Sequence, residues 1–126
     1  LMKTLLLTFT LFLFTTAVYV STPAVALDES GFVLDDGVSV VEFNASFNAS
    51  NSVSWMDKLS DCKGERVDIG LSPAMQKEHK IVVVPTIIIF NEGEEVKRFQ
   101  ANIMMQLEAT QDDIQEAVDE ILMSSF

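Results

Sequence analysis

The sequence predicts an α/β domain in which helices cover both faces of a β-sheet. Val38–Asn44 (VSVVEFN), rich in β-branched residues, has the pattern of a strand buried on both faces, and Ile81–Phe90 (IVVVPTIIIF) is the most β-prone segment. Near the C-terminus, Ile114, Val118, Ile121 and Leu122 fall at i, i+4, i+7 and i+8, so one helix must bury a single apolar stripe. Buried strands beside amphipathic helices imply a three-layer α/β/α sandwich.

The chain opens on a segment of a different kind. Lys3 precedes an apolar run, Leu5 to Val20, and Ala24-Val25-Ala26 forms a small-x-small cleavage signal, so residues 1–26 read as a secretory signal peptide. A membrane anchor is the competing reading, but the run is shorter than the ~20 residues that a spanning helix needs. The expected product is exported, periplasmic or extracellular, with no stable membrane anchor. Residues 27–37 form a polar extension in which Phe32-Val33-Leu34 could pair with a sheet edge. One domain follows over residues 38–126.

In that domain, Val38–Asn44 is the first strand. Ser50, Asn51 or Ser52 can cap a short helix carrying Val53, Met56 and Leu59, which should end near Cys62-Lys63-Gly64 with Gly64 in the left-handed conformation. Arg66–Gly70 is a short second strand. Ser72-Pro73 is a cap followed by an N1 proline, and a helix over Ala74–Lys80 should follow. The Ile81–Phe90 run is interrupted by Pro85, which a central strand admits only for a special reason. Asn91-Glu92-Gly93-Glu94 is a tight turn into Glu95–Gln100, an antiparallel hairpin. Thr110 with Asp113 resembles a capping box that opens the last helix. The order is β-α-β-α-β-β-α, read as two right-handed parallel crossovers closed by a hairpin and a helix.

Charge and cysteine content narrow the function. The formal net charge is −11, and removal of Lys3 with the leader leaves seven Lys and Arg against 19 Asp and Glu, about −12. Such a chain repels nucleic acid and anionic lipid alike. Cys62 is the single cysteine, so an internal disulfide is excluded, although a mixed disulfide or a disulfide-linked dimer through Cys62 is open to it. Asp61 opposes any lowering of its pKa by Lys63 and Arg66. His79 stands alone on a charged stretch, and no spacing suits a metal; no cofactor is implied. Asn44-Ala45-Ser46 and Asn48-Ala49-Ser50 both fit the glycosylation sequon, which we read as chance.

An apolar strand running into Phe43-Asn44-Ala45-Ser46-Phe47, then Val84-Pro85-Thr86, then a strand ending Phe90-Asn91-Glu92-Gly93, resembles the thioredoxin family over about Val38 to Met123. The resemblance implies a thioredoxin-like sandwich with a cis bond before Pro85, facing the site. It also implies that Phe47 takes the family's aromatic position, and that Asn48-Ala49-Ser50-Asn51 stands where members carry Cys-x-x-Cys. Thiol-disulfide exchange needs an attacking thiolate, and an amide supplies none.

Two functions follow. One is a non-catalytic module that binds a protein or peptide segment over Phe47, Asn48, Asn51, Val84, Pro85 and Thr86; the resemblance implies that the Val84 backbone pairs with an extended partner. The other is a one-cysteine oxidoreductase that works through Cys62; for Asn48 to Asn51 themselves, the alternative to peptide contact is a helix cap and nothing more. That thiol is expected far from Pro85.

Overall fold

The computed structural model describes residues 37–125; the leader, most of the 27–37 extension and the Phe32–Leu34 pairing lie outside the described residues. Four strands, β1 (Val38–Asn44), β2 (Lys63–Asp68), β3 (Thr86–Asn91) and β4 (Glu94–Gln100), form one sheet in the order β2-β1-β3-β4. Two α-helices accompany them, α1 (Pro73–Glu78) and α2 (Gln111–Ser124).

β1 is central, and all seven of its residues are buried, the polar Ser39, Glu42 and Asn44 among them. Alternation sends Val38 and Val40 to one face, where they meet Ile87, Ile89 and the α2 residues Ile114, Ala117, Val118 and Ile121. Val41 and Phe43 face the other way, onto Val67, Ile81, Val84, Ile88 and Phe90, with Met75 of α1 packed alongside. Each fully buried Val, Ile or Phe contributes roughly 1.5–3 kcal/mol relative to exposure.

Local signals place the C-terminal half. Glu92 and Gly93 have φ of +53° and +83°, the left-handed pair of a two-residue hairpin turn between Asn91 and Glu94. Both halves of the Thr110–Asp113 capping box are formed.

Four expectations are corrected. The second crossover is not parallel: β1 pairs with β2 in parallel but with β3 antiparallel. The connection between β2 and β3 is long enough for a crossover, but the chain turns back directly after α1, where Ile81 N donates to the Gln76 carbonyl, and re-enters the sheet at the end where β2 stopped. The helix expected after residue 50 is replaced by two 3-10 segments, Ser46–Asn51 and Met56–Lys58. Ser and Asn side chains compete for the backbone in this stretch, and Glu42 draws the Val53 N–H out of any helical ladder. The left-handed residue before β2 is Asp61 (φ +63°), not Gly64. Gly64 instead sits inside β2, where a Cβ would lie 2.9 Å from the Met56 carbonyl oxygen. β2 accordingly begins three residues earlier than expected, at Lys63.

Candidate functional site

The C-terminal ends of β1 and β2 and the start of β3 share one edge of the sheet, and the register sets Thr86 opposite Phe43. The Val84–Pro85 peptide bond, which is cis, is thereby brought beside Asn44 and the segment that follows it. Thr86 is fully buried, and its Oγ1 donates to the Val83 carbonyl at 2.7 Å. Pro85 is buried as well, and its carbonyl accepts from Ala101 N at 3.1 Å.

The tetrapeptide repeat Phe43–Ser50 places its two asparagines four residues apart, and both turn inward, Asn44 at 7% exposure and Asn48 at 3%. Asn44 Nδ2 donates to the Asn48 carbonyl (3.1 Å) and to Ser52 Oγ (2.7 Å). Asn48 Nδ2 lies 3.1 Å from Asn44 Oδ1, 3.2 Å from the Met105 carbonyl and 3.4 Å from the Val84 carbonyl. Asn51 Nδ2 donates to Asn48 Oδ1 at 2.7 Å. Asn48 is thus not a cap, since no side chain caps the 3-10 segment. It ties three separate parts of the chain together. With Asn44 and Asn48 buried and their amide nitrogens engaged, neither sequon is open to a glycan in the folded chain.

Sequence reasoning missed Glu42. It is fully buried, its Oε1 accepts from Arg66 Nε at 2.9 Å and its Oε2 accepts from Val53 N at 3.0 Å. Arg66 also donates to the Val53 carbonyl. A lone carboxylate in a strand buried on both faces was the available signal, because such groups are rarely buried unpaired. The Glu42–Arg66 pair braces the loop from below, beside a smaller cavity of about 200 Å³.

Apolar side chains surround the upper side. Phe47 is 75% exposed, Val82 78% and Ile103 97%, and together with Met105 they wall a groove of about 380 Å³. Of the residues expected to bind, Phe47 lies on this surface and Asn51 is half-buried, whereas Asn48, Val84, Pro85 and Thr86 form its buried support. The loop Asn102–Gln106 drew no expectation. Its visible signal was Ile103-Met104-Met105, an apolar triplet between polar residues outside any strand or helix.

Cys62 lies at the other end of the sheet. It precedes Lys63, which pairs with Ser39, whereas Thr86 pairs with Phe43. That is about 15–20 Å along the strands. The thiol packs against the α2 side of the core, and burial pushes its pKa above the ordinary value, with the Asp61 and Asp119 carboxylates adding to the rise. His79 is half-buried, its ring tilted against Phe43 at 5.5 Å and edge-on to Phe90 at 5.2 Å between centroids. Among the described residues no group of three His, Cys, Asp or Glu side chains could hold a metal.

Solved thioredoxins superpose on this arrangement. A variant thioredoxin from Halobacterium salinarum NRC-1 matches with a TM-score of 0.56 at 19% identity, covering 75% of this chain and 80% of that one. The fold is that of a thioredoxin. The thioredoxin of Schistosoma mansoni matches at 0.55 and 16% identity, covering 68% and 78% of the two chains. That of Fasciola hepatica matches at 0.50 and 17%, covering 68% and 82%. No protein-family model and no curated protein matches the sequence. The thioredoxin-like sandwich expected from the Val84-Pro85-Thr86 resemblance is therefore present, on a chain with a single cysteine.

Proposed function

We propose that this protein is an exported, non-catalytic binding module that uses the groove beside Val84 and Pro85 to hold a segment of a partner protein. The observation that carries the reading is the wall of exposed apolar side chains, Phe47, Val82 and Ile103, at an edge of the sheet where no thiol is present. Interface cores are depleted of charge and rich in aromatic residues and Met, and Phe47 and Met105 supply both. Asn48 and Asn51 offer no thiolate for exchange. The alternative, oxidoreductase chemistry at Cys62, is disfavoured by a raised thiol pKa and by a position remote from the groove.

The test pairs chemistry with capture. The protein should not accelerate reduction of insulin by dithiothreitol, and a photoreactive residue at position 103 should crosslink a discrete partner from the exported fraction. Phe47→Ser should abolish that crosslink. An acceleration of insulin reduction that Cys62→Ser removes would overturn the reading, as would crosslinking indifferent to Phe47.

A further inference from the structure

This inference rests on the reading just given, that the groove holds part of a partner protein, and concerns how that hold is released. We propose that Met104 and Met105 make the groove sensitive to oxidation: a peroxide converts their thioethers to sulfoxides, and the partner segment is released.

The methionines among the described residues are unevenly protected. Met56 is 5% exposed in the core and Met75 is half-buried against the other face, whereas Met104 is 66% exposed, Met105 40% and Met123 73%. Met123 sits one helical turn beyond Asp119, the α2 residue that faces Cys62, and so belongs to the end of the molecule away from the groove. Met104 and Met105 belong to the groove itself. Met105 lines it, and Met104 stands in sequence between Met105 and the lining residue Ile103.

The loop that carries the pair is closed by its backbone. Asn102 Oδ1 accepts from Met104 N (2.8 Å) and Gln106 N (3.1 Å), Asn102 N donates to the Gln106 carbonyl (3.0 Å), and the Met105 carbonyl accepts from Asn48 Nδ2 (3.2 Å). Met105, at φ +58°, is held in the left-handed region by the same turn. These bonds use backbone and asparagine atoms only, so oxidising the sulfurs leaves the turn in place and alters the surface it presents.

That surface depends on a few apolar side chains. Residues 43–56, 81–91 and 99–107, which frame the groove, contain no Asp, Glu, Lys or Arg. A thioether there is a soft apolar contact, whereas a sulfoxide is a strong dipole that water solvates better than a partner's apolar side chain does. Burying it without a donor is costly. The nearest free donors are the N–H groups of Val82, Val83 and Val84, which carry no hydrogen bond among the described residues. An extended partner would use that same row, so a sulfoxide that takes one of its donors competes with the partner directly. Cys62 offers no comparable switch. It is half-buried at the far end of the sheet, and burial with the Asp61 and Asp119 carboxylates keeps its thiol protonated, the unreactive form.

The step needs only the peroxide. With hydrogen peroxide, a sulfur lone pair attacks one oxygen and the O–O bond breaks; the proton of the transferred oxygen passes to the departing one, which leaves as water. The sulfur is oxidised by two electrons and the peroxide is reduced by two, and methionine sulfoxide reductase reverses the change at the expense of thiols.

The protein, carrying a photoreactive residue at exposed position 82, is treated with graded hydrogen peroxide, freed of it with catalase, and only then mixed with the exported fraction. Peptide mapping should find oxygen at Met104 and Met123 first, at Met105 next and at Met56 last. As Met104 and Met105 are oxidised, the protein concentration needed for half-maximal Phe47-dependent crosslinking should rise about tenfold, the effect of losing one buried apolar side chain. The circular dichroism spectrum should not change, and sulfoxide reductase should restore the crosslink. Replacing both Met104 and Met105 with Leu, which conserves volume and polarity, should leave a crosslink that peroxide does not weaken, whereas Met123→Leu should give no protection. Crosslinking that persists at full strength once mapping shows both sulfurs oxidised would overturn the proposal and leave the binding module standing. So would a loss that the reductase does not reverse, or one equally steep in the double Leu variant. Untreated protein that gives no Phe47-dependent crosslink would overturn both readings.

Discussion

Replacing Asn48 with Ala removes the one side chain that joins β1, the strand β3 entry and the Asn102–Gln106 loop. Four contacts go with it: three from Nδ2 and the one that Oδ1 accepts from Asn51. Their costs differ. Asn51 is half-buried and Met105 exposed, so water can take over at both, and the 3.4 Å approach to the Val84 carbonyl is long for a hydrogen bond. Asn44 Oδ1 is the group left buried without its donor, and a buried polar atom stranded in this way costs about 1–3 kcal/mol. Adding the lost packing of the amide gives about 2–4 kcal/mol in total. For a domain of this size that is a fall in Tm of roughly 10–25 °C. Asn51→Ala, which strands only an atom beside solvent, should cost under about 1 kcal/mol. Urea and thermal unfolding, followed by far-UV circular dichroism and by fluorescence of Trp55, the single tryptophan, should show the midpoints separating while the m-value is unchanged. If Asn48→Ala is no more destabilising than Asn51→Ala, the inward network is not structural. Asn48 would then be free to turn toward a partner.

Two further expectations concern sulfur. Asn48→Cys with Asn51→Cys places two thiols three residues apart on a 3-10 turn, about 6 Å between Cα atoms and within disulfide range. The pair should close under oxidised glutathione, read as a two-dalton loss by mass spectrometry. The first thiol should show no depressed pKa, because position 48 is buried and no α-helix N-terminus follows it; a strongly depressed value would contradict the 3-10 assignment. At Cys62, burial and the Asp61 and Asp119 carboxylates favour the protonated thiol. Its labelling by a disulfide reagent should therefore rise with a midpoint above that of an unfolded cysteine, ~8.5. The stability tied to this shift is fully present below the unfolded thiol pKa and fades as pH rises through the folded one. A labelling midpoint at or below the unfolded value would return Cys62 to candidacy as a redox residue.

Some of this architecture can be read directly from the chain, because its causes are local. The Thr110–Asp113 capping box, the Glu92-Gly93 turn and the stripe on α2 each depend on residues within a few positions of one another, and period and turn chemistry announce them. β1 is legible for the same reason, since seven residues without polar alternation admit only burial on both sides. The resemblance around Val84-Pro85-Thr86 located the edge of the sheet where the groove lies, and Phe47 as its exposed aromatic. What the chain could not announce depends on distant pairs. Asn48 looked like a cap because its partners, Val84 and Met105, lie 36 and 57 residues away. Glu42 drew no expectation, because Arg66, which closes over it, lies 24 residues on. The same pair took Val53 from its expected helix, since a buried carboxylate needs donors more than a marginal helix needs one more backbone bond. The direction of β3 likewise depended on where the segment after α1 docks, with Ile81 and Val84 packed against Val41 and Phe43, a distant pairing that no local pattern records.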